Sequence, residues 1–209
     1  MVGFRERREG LGLSQANLAR DVGISRTALS LIENGRLRPS ARTVQALERG
    51  LDPFAHPVLL VHGEGALKAA DLVREVGGMT GLSYAITLDV AAWVLTRYQT
   101  PAAAWAYVRP LDAWVSALRR RAVRRARPRE RADLILLRGP EEVFRHARAV
   151  EGLALVDSRR LLEDCARLGG RRGLDAARLF VAFPEARTPG LRLDADALLK
   201  VFGEVIAST

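Results

Sequence analysis

Ser25, Arg26, Thr27 and Ser30 put three hydroxyls and one guanidinium within six residues. Short polar side chains with a single guanidinium suit a helix lying in a major groove, where hydroxyls and a bidentate arginine meet base edges and phosphates. Other groups that could carry chemistry do not converge. His56, His62 and His146 have no ligand-like spacing with Cys165, the single cysteine. Cys165 falls on an apolar helix face, as a small core residue does. No G-x-S-x-G elbow is present. Asp194 and Asp196 have the spacing of a two-metal carboxylate pair, but they open a helix, where capping accounts for them. Glu141–Glu142 and Glu163–Asp164 are neighbours on helices and point about 100° apart. No enzyme and no cofactor are expected.

The elements that must hold the polar face follow from the pattern around it. Ser14 is placed to cap a helix over 15–22, and Gly23 breaks it. Ser25 is placed to cap a second helix over 26–34, and Gly35 ends it. Leu18 and Val22 lie on one side of the first helix, Ala19 lets the second approach, Ile24 fills the turn, and Leu29 and Ile32 face inward. A helix over 2–10 precedes them, with Phe4 inward and Arg5, Arg7 and Arg8 largely outward. Pro39–Ser40 opens a helix over 41–49 with Val44 and Leu47 inward, and Gly50 stops it. The segment 51–57, with two prolines, reads as a linker or a short fifth helix.

Residues 4–51 resemble the Cro/lambda-repressor type of helix-turn-helix domain. The resemblance rests on Ser14, Gln15, Leu18 and Ala19, on Gly23-Ile24-Ser25, and on Leu31-Ile32-Glu33-Asn34-Gly35 followed by Arg36, Pro39 and Ser40. It implies a five-helix, all-α DNA-binding domain. It also implies that Gln15 contacts backbone or base, that Ser25, Arg26, Thr27 and Ser30 read base edges or nearby phosphates, and that Asn34 and Arg36 hold the phosphate backbone.

A chain of 209 residues leaves about 150 for a second domain. Its 48% hydrophobic content excludes a largely disordered chain. A net charge of +9 favours a polyanionic partner. Residues 119–131, RRRAVRRARPRER, hold eight arginines and one glutamate, whereas residues 1–56 carry nine arginines against six acids. Most of the basicity therefore lies outside the helix-turn-helix. Three readings of the run are open: a solvated loop or short strand, a phosphate-tracking surface beside the DNA site, or a dock for an acidic protein. Phosphate contact is preferred, through Arg119, Arg120, Arg121, Arg124 and Arg125. A single cysteine allows no intramolecular disulfide, which fits a cytoplasmic location. No apolar run is long enough for a membrane span.

Beyond 57 the pattern alternates. An apolar run at 58–61 leads through His62-Gly63-Glu64-Gly65 into a helix over 66–75, with Gly77–Gly78 closing the unit. A phosphate-cradling loop would need a third glycine where Lys68 stands, or Gly-Lys-Ser/Thr, so a plain turn is preferred. Residues 84–98 fit a buried helix. Strands are expected at 102–108, 133–138 and 153–156, with helices over 111–118, a turn at 141–147, and a helix capped by Asp157 or Ser158 running to 168. A turn at 169–173 and helices over 174–183 and 194–206 complete the chain.

The second half also resembles, over about 60–183, the C-terminal domain of abortive-infection antitoxins from type IV toxin–antitoxin systems. The residues that carry this are Tyr84–Ala85 and Ala91-Ala92-Trp93, then Trp105–Val108 and Ala132–Arg138, then Glu142-Val143-Phe144 and Ala147–Arg148. Gly152–Leu153, Val156-Asp157-Ser158, Leu161–Leu162, Asp164 and Leu168-Gly169-Gly170-Arg171 follow. It implies an α/β domain and a partner toxin of nucleotidyltransferase type. The repressor-type domain in front departs from the winged helix of such relatives. The expected architecture is multi-domain: an all-α helix-turn-helix domain over 1–56, then an α/β (α+β) domain over 57–209. The expected function is a sequence-specific transcriptional repressor; a single such domain buries little DNA surface, so a homodimer on double-stranded DNA is expected. The alternative is an antitoxin that antagonises a cognate toxin.

Overall fold

The computed structural model describes residues 3–97 and 100–168. The expected elements at 169–173, 174–183 and 194–206, with the Asp194/Asp196 pair and Tyr98, lie outside the described residues.

The N-terminal unit has four helices: α1 (Phe4–Gly10), α2 (Gln15–Val22), α3 (Arg26–Glu33) and α4 (Ala41–Gly50). Three of them start on serine caps. Ser14, Ser25 and Ser40 accept at Oγ from the backbone N–H of Asn17 (3.1 Å), Ala28 (3.0 Å) and Thr43 (3.2 Å), which satisfies one orphan donor each. Leu18, Leu29 and Leu47 are completely buried at the centre, ringed by Leu11, Leu13, Ala19, Ile32 and Leu51. Gly23 turns the chain between α2 and α3 at φ 76°.

Two expectations are corrected here. The unit has four helices, not five: residues 51–56 fold as turns, with Asp52 Oδ1 accepting from Phe54 N at 3.0 Å, and Pro53 and Pro57 bracket too short a segment to propagate a helix. Gly50 does not stop α4 but ends inside it. A Cβ there would lie 2.8 Å from Val22 Cγ2 and 3.0 Å from Leu18 Cδ1, so the glycine lets α4 close on α2.

The remainder is a seven-stranded mixed sheet with helices. In chain order it runs β1 (Val58–Val61), α5 (Ala66–Thr80), β2 (Ser83–Thr87), α6 (Leu88–Thr96), β3 (Ala104–Arg109) and α7 (Leu111–Arg119). Then come β4 (Arg124–Arg125), β5 (Leu134–Arg138), α8 (Glu141–Arg145), β6 (Arg148–Val150), β7 (Leu153–Leu155) and α9 (Ser158–Leu168). The strand order is β4-β1-β5-β3-β2-β7-β6, with β3/β5 and β2/β7 parallel and the other pairs antiparallel. Alternation assigns the faces. Tyr84 meets Trp114 of α7 edge to face at 6.1 Å and sits against Gly77 of α5. On the opposite face, Tyr107 and Thr87 reach Asp164 of α9.

The sheet overturns three further expectations. Residues 84–87 form a strand, not the start of a helix. An apolar run fits a buried strand as well as a buried helix, and Thr87 and Leu88 switch the chain from β2 into α6, with Leu88 at φ 53°. Gly77 and Gly78 do not close the unit, because α5 runs on to Thr80 and Gly81 caps it at φ 67°. Gly77 is there for packing: a Cβ would stand 2.7 Å from the Tyr84 ring. Strand β6 was not foreseen at all; three residues at a sheet edge carry too short a pattern to show.

Candidate nucleic-acid interface

The polar face stands on a core that is already full. With Leu29 and Ile32 of α3 turned onto Leu18 and Leu47, Arg26 and Thr27 are left exposed and Ser30 half-buried. Ser25 caps α3 with its Oγ while its own O–H remains a donor. The first-turn N–H groups of α3 point outward at the positive end of its dipole, beside the Arg26 guanidinium. Arg36 is exposed past the end of α3. Asn34 folds back instead, its amide donating to Ser30 O at 2.8 Å, so it closes α3 and leaves its Oδ1 outward.

Gln15 opens α2, but its amide donates to Glu33 Oε2 at 2.8 Å. Glu33 is the hub of a buried network that the sequence reading missed. Arg8, expected to point outward, is buried: its Nε donates to Glu33 Oε1 at 2.7 Å and its Nη1 to Leu13 O at 2.7 Å. Its hydrogen bond to Glu33, joined by the carboxylate's charge, holds the Arg8 guanidinium above its ordinary pKa despite burial. The network ties α1, α2 and α3 into one rigid support for the polar face. The signal was available, since Glu33 stands between two core-facing turns where a solvated acid has no place.

The arginine run forms a looped edge. Arg119 ends α7, β4 pairs Arg125 with Leu60 of β1, and all eight arginines are exposed. Glu130 organises it. The carboxylate takes a two-pronged ion pair from Arg124, with Nη1 at 2.7 Å, and a backbone bond from Arg127 N at 2.8 Å. Arg124 is thus engaged within the loop. Arg121 rests on Met79 Sδ, and Arg119 and Arg120 project from the end of α7.

Elsewhere the candidates resolve into structural roles. The N–H groups of His62, Gly63 and Gly65 converge on an anion, but that anion is the chain's own Asp133 carboxylate, at 2.7, 2.7 and 3.3 Å. The cradle that resembled a phosphate loop pins β1 to β5 instead. Asp164 is completely buried, accepting from Thr87 Oγ1 at 2.7 Å and Tyr107 O–H at 2.8 Å. Arg160 Nε lies 3.0 Å away as an ion partner, but its N–H is not aimed at a hydrogen-bonding oxygen; Nη2 donates to Tyr107 Oη at 2.6 Å. Burial raises the Asp164 carboxyl against the pull of Arg160, and burial with the Asp164 charge keeps the Tyr107 phenol protonated. Burial likewise pushes the Cys165 thiol far up, so it is no nucleophile. Among the described residues, no group of three or more His, Cys, Asp or Glu is placed to hold a metal ion, and no helix is long and apolar enough to cross a membrane.

Among the described residues, the two packed bodies are tied together at three points. Arg109 donates to Gly10 O at 2.9 Å and Glu9 O at 3.5 Å, capping the C-terminus of α1. Arg167 pairs with Asp52 at 3.0 Å. Phe54 sits on Trp105 and Tyr107, with ring centroids 6.1 and 6.3 Å apart.

A capped, tightly turned helix pair with a polar outer face over a leucine core defines a helix-turn-helix domain, here followed by an α/β unit. Residues 4–53 match the helix-turn-helix family, and this N-terminal segment is a helix-turn-helix domain of the Cro/lambda-repressor type. That family is a DNA-binding one, which supports a DNA-binding, regulatory role for this N-terminal domain. No curated protein matches the chain.

Proposed function

We propose that the protein is a sequence-specific transcriptional repressor that acts as a homodimer on double-stranded DNA. The observation that supports this most is the exposure of Arg26 and Thr27 at the first turn of α3, beside the Ser25 cap, over a core that leaves no room for them inside. In this reading α3 lies in the major groove, and Arg26, Thr27 and Ser30 read base edges. Gln15, Ser25, Asn34 and Arg36 hold the backbone, and Arg119, Arg120 and Arg121 add phosphate contacts, whereas Arg124 is taken up by Glu130. The proposed division of labour places DNA binding in residues 1–56 and assembly or regulation in 57–209. One such module covers little DNA, so specific affinity needs two, on half-sites about 34 Å apart. Selection of bound sequences from a random DNA library at about 150 mM salt tests it. A palindrome with half-sites one turn apart is the expected result; bound DNA without an enriched motif removes the reading.

A second reading, an antitoxin whose α/β domain antagonises a nucleotidyltransferase-type toxin, draws support from β3 and β5, which fall where that resemblance places strands, at 105–108 and 132–138. Co-expression with such a toxin encoded beside this gene tests it. Growth rescue that persists in an Arg26→Ala variant is the outcome it requires.

A further inference from the structure

A cleft of about 380 Å³ opens between the helix-turn-helix domain and the sheet, within the range of about 300–1,000 Å³ over which small-molecule pockets fall. We propose that it binds a small zwitterionic molecule of the amino-acid class, with its carboxylate on Arg138 and Arg125 and its ammonium group toward Asp112 and Asp21.

The charges carry the argument. Arg138 ends β5, is half-buried, and has no hydrogen bond or ion pair among the described residues. A guanidinium partly withdrawn from water without an anion is an unmet demand. Arg125 of β4 lines the same cleft, and its guanidinium also has no described partner. Asp112, in the first turn of α7, faces the cleft without a described partner as well. Asp21 stands in the last turn of α2, where the helix dipole opposes a negative charge, and its nearest cation is Arg20 at 3.8 Å. Two unmatched cations on the sheet side and two poorly matched carboxylates thus share one cavity, yet none of the cations reaches an anion across it within ion-pair distance. A molecule bearing both charges offers an anion to the one set and a cation to the other. A dianion would face the carboxylates, and a diamine the guanidinium groups. The walls belong to both bodies, with Leu13 on one side and Val115 on the other, so an occupant touches the helix-turn-helix domain and the sheet together.

The test is calorimetry and thermal unfolding of the full chain with each proteinogenic amino acid, and with succinate and putrescine as probes that carry only one half of the charge pattern. It does not use DNA, so its outcome is independent of the repressor reading. At least one amino acid is expected to bind, with succinate and putrescine at least about tenfold weaker. Arg138→Ala and Asp112→Asn are each expected to weaken binding by about tenfold or more, and Arg131→Ala, outside the cleft, is expected to leave it unchanged. Asp112 is exposed, so Asp112→Asn serves if circular dichroism shows Arg138→Ala unfolded. Absence of binding by every amino acid, equal binding by succinate or putrescine, or binding untouched by Asp112→Asn each overturns the proposal.

Discussion

Arg26 and Glu33 do opposite work seven positions apart on the same helix. Arg26 is exposed with its guanidinium free to meet DNA. Arg26→Ala is expected to cost about 1–3 kcal/mol on the preferred site and much less on random DNA, read by competitive gel shift; equal loss on both argues against base readout. The Glu33 side chain is fully buried, and it holds Arg8, itself 8% exposed, and Gln15. Glu33→Ala takes the buried Arg8 guanidinium's buried acid away, leaving it the exposed Glu9 carboxylate at 3.1 Å and Leu13 O, and is expected to destabilise the domain by about 3 kcal/mol. Replacing both partners, Arg8→Met with Glu33→Leu, is expected to recover most of that loss in urea unfolding, because the penalty lies in the guanidinium left without its buried acid. Arg26 was readable from its place after a capping serine. Arg8 was not: helical periodicity gives the side a residue faces, but arginine on that side is usually solvated, and it is the buried acid on α3, together with Glu9, that compensates its burial.

Among the elements, the loop between α7 and β5 depends on one acid. Arg124 and the Arg127 N–H lower the Glu130 carboxyl from 4.5 to about 2. A depressed folded-state value means that the contribution to loop order is fully present above 4.5 and is lost as pH falls toward 2. Carbon-detected NMR of the glutamate carboxyls is expected to show Glu130 titrating last, with the amide of Arg127 moving with it. An ordinary titration near 4.5 would show the loop open in solution. Glycines set other elements. Gly77→Ala pushes a methyl group into the Tyr84 ring and is expected to cost about 1–3 kcal/mol by overpacking, visible as a lower midpoint of thermal unfolding. The sequence showed α2, α3 and β5 because caps, periodicity and a continuous apolar run agree there. It misled at 84–87 and at Gly77, where the deciding contact is with an element far along the chain. It also read the 62–65 loop as a turn without showing what fills it, since Asp133 lies about seventy residues away.

At the level of the whole molecule, the proposed reading helix and the densest run of charge sit in different bodies. The proposed reading helix belongs to the N-terminal unit, while the run 119–131 with its eight arginines belongs to the sheet domain. Arg109 on the end of α1, Arg167 on Asp52 and Phe54 on the Trp105/Tyr107 surface hold the two together. Phosphate neutralisation releases counterions whatever the base sequence, whereas groove contacts discriminate between sequences, so the two contributions separate in a salt titration. If Arg119, Arg120 and Arg121 each neutralise one phosphate, replacing all three by alanine lowers the slope of log K against log salt by about 2.7. The ratio of specific to random binding at fixed salt is then expected to stay as it was. Arg26→Ala is expected to do the reverse, changing the ratio with a slope shift of at most about one phosphate. Fluorescence anisotropy on a selected site and a scrambled one, from about 50 to 200 mM salt, measures both quantities together. A triple variant with an unchanged slope takes this end of the arginine edge away from DNA and leaves the two other readings, a solvated surface or a dock for an acidic protein, which binding of an acidic protein by the full chain then separates.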